Sequence, residues 1–133
     1  MNTKEKTLAD YVEEIGLDVT IKPCDMPASA PKWATERTTN AYRVTLKYQG
    51  RKMSIYFYAG VLVKELKPAD IVANLARDWD LSVYTLEEFG DEFGWDSTTL
   101  KTYNSVKKIG RRYANLIGDN DIRTELAELA MEY

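Results

Sequence analysis

The sequence predicts an α+β fold: a small antiparallel sheet of two or three strands packed with four to five helices. Three observations lead there. Residues 40–58, "NAYRVTLKYQGRKMSIYFY", alternate apolar and polar on both sides of Gln49-Gly50, as a hairpin with one buried face does. From residue 67 onward the apolar spacing changes to three and four, with helix-capping residues ahead of the stripes. The 133 residues suit a single domain, 1–133, with one core. Within it the expected parts are an N-terminal helix and strand over 7–21, a loop over 22–39, the hairpin over 40–58 and a helical part over 67–133.

In the first helix Thr7 and Asp10 have the spacing of a capping box. Leu8, Tyr11, Val12 and Ile15 form one stripe, and Gly16 suits the stop. "LDVTI" puts Leu17, Val19 and Ile21 on one face of a short strand. Residues 22–39 hold three of the four prolines, and Trp33 among them is either a tether to the core or a partner contact. With Gln49-Gly50 as the turn, residues whose numbers sum to 99 face each other. Leu46 then meets Met53, Val44 meets Ile55 and Tyr42 meets Phe57 on the inner side. Arg43, Thr45, Lys47, Lys52, Ser54, Tyr56 and Tyr58 point outward. Lys47 falls opposite Lys52, a like-charge pair that costs a few tenths of a kcal/mol, that is about 0.2 or more.

Pro68 is placed to open the next helix, with Ile71, Leu75 and Trp79 four apart. Thr85 and Glu88 form a capping box before a helix with Leu86, Phe89 and Phe93 on one side. Asp96 or Ser97 caps the longest helix, which reaches about Ile117. Its expected buried stripe is Leu100, Tyr103, Val106, Tyr113 and Leu116. Asp121 can cap the last helix, where Ile122, Leu126, Leu129 and Tyr133 line one face.

Composition narrows the chemistry. There is no histidine, so the commonest general base and metal ligand is missing, and the one cysteine, Cys24, has no histidine to activate it. The seven glycines fit neither a dinucleotide fingerprint nor a P-loop. A non-enzymatic protein without cofactor or metal is expected. Glu88, Asp91 and Glu92, at helical spacing, read as a solvated helix face rather than a Mg²⁺ site. No apolar run approaches the roughly 20 residues that span a bilayer. The N-terminal residues lack an apolar signal-peptide region, so a cytoplasmic protein with no membrane partner is expected.

Charge is segregated along the chain. Residues 85–96 contain five acids and no base, among them Glu87, Asp91 and Glu92. Residues 97–118 contain five bases and no acid: Lys101, Lys107, Lys108, Arg111 and Arg112. Residues 32–67 hold eight bases against two acids, so the net charge of −3 is a sum of opposed blocks. The basic helix either lies flanked by its acidic neighbours or presents an exposed face that can follow a phosphate backbone. The outer hairpin face, with Arg43, Lys47, Lys52, Tyr56 and Tyr58, is either solvated, helix-covered or a docking surface.

The order of these motifs resembles a family of small proteins encoded by bacteriophages and prophages. The likeness spans nearly the whole chain. It is carried by Tyr42 to Leu46 with the Gly50-Arg51 turn, and by Phe93-Gly94-Trp95-Asp96 leading to Tyr103 and Leu116-Ile117-Gly118. The chain departs from the pattern at Ala41, where a histidine often stands, and in "WDSTTLKT", which replaces a more charged entry to the long helix. The resemblance implies a phage-encoded binding protein in the host cytoplasm. Its expected action is to inhibit a host-defence nuclease complex, foremost a CRISPR-Cas effector, by covering its surface. The alternative is a nucleic-acid-binding accessory of phage replication. On the first reading the partner residues are Trp33, Arg43, Lys47, Lys52, Tyr56, Tyr58, Glu87, Asp91 and Glu92. On the second they are Lys101, Lys107, Lys108, Arg111 and Arg112 of the basic helix, together with the basic, tyrosine-rich sheet face.

Overall fold

In the computed structural model, which describes residues 6–36, 39–63 and 65–133, the central hairpin forms with the expected register. Gln49 and Gly50 both adopt positive φ (48° and 79°), the two-residue turn whose twist matches that of the flanking strands. β2 (Thr39–Tyr48) and β3 (Arg51–Gly60) then pair as Leu46↔Met53, Val44↔Ile55 and Tyr42↔Phe57. The third strand, β1 (Asp18–Cys24), pairs antiparallel with β2, giving the order β1-β2-β3 with β2 in the centre. β1 runs further than the expected Leu17–Ile21. It carries Pro23 within the strand, as an edge strand can when that residue's missing N–H would face solvent.

Among the described residues six helices accompany the sheet: α1 (Leu8–Glu14), α2 (Lys32–Glu36), α3 (Pro68–Ser82), α4 (Leu86–Phe93), α5 (Ser97–Leu116) and α6 (Asn120–Met131). One more helix forms than the four to five expected. α2 is a single turn and a half inside the proline-rich connection, too short to show a periodic stripe. The Thr7–Asp10 and Thr85–Glu88 capping boxes form as expected. Asp96 caps α5, whereas α6 is capped by Asp119 rather than Asp121, because its helix begins two residues earlier than a cap at Asp121 would allow.

α3 is the hub. Ala69, Ile71, Val72, Ala73, Leu75 and Ala76 are all buried, so one broad face meets the sheet, α1, α5 and α6. Against it pack Val44, Leu46, Tyr48 and Met53 of the sheet, Leu8 and Val12 of α1, Tyr113 and Leu116 of α5, and Leu126 and Ala130 of α6. α3 and α5 approach closely at Gly110. A Cβ there would fall 2.4 Å from the Ser82 hydroxyl and 2.5 Å from its Cβ. Trp79 is half-buried beneath the Arg123 guanidinium, 5.2 Å from the ring centre. Tyr133, expected on the face of α6, lies past its end and donates its hydroxyl to Asp70.

Tyr113 is wholly buried, and its hydroxyl meets no hydrogen-bond partner among the described residues. Burial also raises the phenol's pKa, because ionisation there would be costly. An unsatisfied buried hydroxyl costs roughly 1–3 kcal/mol. Tyr113→Phe is therefore expected to hold or raise stability, by about 1 kcal/mol, in urea unfolding. A clear loss instead would mean that the hydroxyl is satisfied in solution.

Candidate functional site

Three surfaces offer chemistry: the outer sheet face, the α4 region, and a cavity at the edge of β3.

The outer sheet face is ordered into cross-strand rows by the two registers. They read Asp18–Lys47–Lys52, then Thr20–Thr45–Ser54, Lys22–Arg43–Tyr56 and Cys24–Ala41–Tyr58. The opposed lysines are present, and β1 places Asp18 beside Lys47. That pairing reduces the like-charge cost which the hairpin alone would carry. Arg43 lies over the Tyr56 ring, 4.7 Å from its centre, so one ring face is already stacked by a cation. Tyr56 is 40% exposed. The last row is covered: Ala41 is buried, and Tyr58 is half-buried with its phenol raised by burial. α2 lies at this end, tied by the Thr39 hydroxyl donating to the Ala34 carbonyl at 2.6 Å. Tyr58 is thus withdrawn from the open face. Trp33 sits on α2 in backbone terms, and its side chain falls outside the described residues.

The basic face continues around the edge of β3 onto α5. The Arg112 guanidinium donates to the Ser54 carbonyl at 2.6 Å, and Arg51 donates to the Asn115 carbonyl at 2.9 Å. These two bonds fasten helix to strand, so Arg112 has a structural task that its spacing did not reveal. Lys107 lies over the Tyr103 ring. Lys101, Lys108 and Arg111 are exposed on one helix face. Among the described residues none of these five bases forms an ion pair with a carboxylate; the pairs present are Lys6–Glu14 and Lys32–Glu36. If acidic neighbours flank the basic helix, they do so without ion pairs among the described residues.

α4 leans on α5. Phe89 alone of its expected stripe is inside, against Phe93 (4.7 Å between ring centres) and Tyr103 (5.1 Å). Leu86 is 46% exposed, Phe93 48% and Trp95 54%. The Trp95 indole lies directly over Gly90, where a Cβ would come within 2.3 Å of the ring. Glu88 is occupied as a cap: its carboxylate accepts from the Thr85 N–H, which holds its pKa below the usual range. Glu87, Asp91 and Glu92 are exposed. Asp91 and Glu92 sit in the last turn of α4, where the helix macrodipole disfavours negative charge by about 0.3–1 kcal/mol each. Folding alone does not call for acids there. Three exposed apolar side chains and three exposed carboxylates therefore fall within residues 86–95, a knob formed by α4 and its C-terminal cap.

The cavity had no sequence signal. It measures about 570 Å³ and lies between the edge of β3, α3 and α5, with Ser29 and Pro31 closing one side. Asp78 of α3 lines it, half-buried, and has no hydrogen bond or ion pair among the described residues. Burial raises its carboxyl from the usual 3.8 to about 6. An acid raised in this way favours folding at low pH, and that contribution is lost as pH rises from about 4 through about 6. Asp78→Asn should therefore stabilise the protein at pH 7 by about 1–2 kcal/mol, allowing for the part of the carboxylate that still meets water. The gain should vanish near pH 4 in paired urea titrations of variant and wild type. A constant difference across that range would contradict it.

Among the described residues no group of three or more His, Cys, Asp or Glu is arranged to hold a metal ion, and no helix is long and apolar enough to cross a membrane. No protein-family model matches the chain, and no curated protein or solved structure matches it either.

Proposed function

We propose that this chain is a phage-encoded binding protein that inhibits a host nuclease complex, foremost a CRISPR-Cas effector, by occupying its nucleic-acid-binding surface. The observation that carries the reading is the α4 knob. Leu86, Phe93 and Trp95 stand exposed among Glu87, Asp91 and Glu92, with no base between residues 85 and 96. Such a surface complements an apolar or aromatic groove bordered by lysine and arginine, which is how proteins hold unpaired nucleic acid. The aromatic and apolar side chains supply affinity, and the carboxylates supply steering and orientation. The outer sheet face, basic where the knob is acidic, adds a second contact on the same partner through Arg43, Lys47, Lys52 and Tyr56.

A pull-down from host lysate, with and without nuclease treatment, tests this together with a cleavage assay. A subunit of a nuclease complex should be retained after nuclease digestion, and stoichiometric protein should suppress cleavage of that complex's target. Loss of every partner on digestion would favour the second reading, direct nucleic-acid binding. That reading is favoured by one observation, the exposed Lys101, Lys108 and Arg111 without carboxylate partners among the described residues. Under it, log K should fall steeply with log salt, and each lysine removed should lower the slope by about one.

A further inference from the structure

β3 is an edge strand. In a two-residue hairpin the residues flanking the turn, Tyr48 and Arg51, exchange hydrogen bonds, and so does every second pair beyond them. Lys52, Ser54 and Tyr56 therefore turn their backbone N–H and C=O away from β2. α5 covers the first part of this edge, where Arg112 occupies the Ser54 carbonyl. Past Ser54 the strand borders the cavity, and the Tyr56 N–H and C=O have no hydrogen bond among the described residues. Beneath that edge the walls are Ile55, Phe57, Ile71, Leu75 and Ile109, and Asp78 is the one ionisable carboxyl lining the space.

We propose that the open edge of β3 and the cavity beneath it take an extended segment of a partner protein as a fourth strand, with a lysine or arginine of that segment seated on Asp78. The two halves of the site ask for the same ligand. An exchange pair of backbone bonds at Tyr56 is made only by another backbone in extended conformation. A partly desolvated carboxylate without a partner selects a cation, and the volume suits one long side chain beside a short stretch of main chain. A second copy of this chain fits less well. Antiparallel pairing of two β3 edges about Tyr56 sets Ser54 of each copy, its carbonyl already held by Arg112, against Tyr58 of the other. The inference rests on the strand edge and not on α4, so it stands or falls apart from the proposed inhibitory function.

Selection of random peptides of about nine residues, a short strand's length, on the immobilised protein tests it. Enriched peptides should alternate β-branched residues around a fixed lysine or arginine. Replacing that residue with norleucine should weaken binding at least about tenfold by fluorescence anisotropy. Asp78→Asn should remove the preference for the cation, while circular dichroism shows the variant folded. No enrichment, equal binding of the norleucine peptide, or equal binding by Asp78→Asn would overturn the proposal. So would sedimentation showing that the chain dimerises and that the enriched peptide breaks the dimer, because the edge would then serve a second copy.

Discussion

Leu46→Ala lowers the free energy of unfolding by about 2–5 kcal/mol on this account. Leu46 is wholly buried at the centre of the sheet's inner face, among the side chains of α3. Truncation removes three carbon atoms' worth of packing that rigid neighbours cannot fully replace. A domain of this size has a net stability of only about 5–15 kcal/mol, so the loss is a large share of the total. Thr45, its chain neighbour, points the other way, and its hydroxyl meets that of Ser54 across the strands at 3.3 Å. Thr45→Ala should cost no more than about 1 kcal/mol. Equal losses in urea unfolding would contradict the register, since slipping by one residue exchanges the two faces.

The second large effect concerns binding. Reversing Glu87, Asp91 and Glu92 to lysine should weaken association with the proposed nuclease partner by about 2 kcal/mol or more, at least thirtyfold. The fold should persist, because all three side chains are exposed and the α4 cap depends on Thr85 and Glu88, which are untouched. Removing two acids from the last turn of α4 relieves their opposition to the helix macrodipole and helps hold stability level. Trp95→Ala should reproduce a comparable loss with no change of charge, since large aromatic side chains carry much of an interface's energy. If both variants bind as wild type does, the knob is not the contact and blocking must come from another face.

How far the sequence foretold this depends on how local each feature is. The hairpin register was legible because Gln49-Gly50 and a strict alternation act over neighbouring residues. The capping boxes of α1 and α4 were legible for the same reason. The place of β1 beside β2 was not, because pairing across about 20 intervening residues leaves no periodic trace, and Asp18 as neighbour of Lys47 followed only from that pairing. Leu86, Phe89 and Phe93 share a helical stripe, and a stripe predicts burial. α4 has too few neighbours to bury it, so two of the three remain outside. The basic residues of α5 could be listed from sequence, but the bond from Arg112 to Ser54 depends on how helix and strand edge meet. Asp78 sits in an ordinary amphipathic helix, and only the assembly of α3, α5 and β3 makes it unusual.

A photoreactive benzoylphenylalanine in place of Trp95, used in host cells with a matching probe at Met131, tests the central claim most directly. Both positions are exposed, at 54% and 81%, so both can react. The account predicts a covalent adduct from position 95 with a protein subunit of a nuclease complex. That adduct should survive nuclease digestion, be absent from position 131, and disappear when Glu87, Asp91 and Glu92 are reversed. An adduct with nucleic acid alone, or the same adducts from both positions, would contradict it.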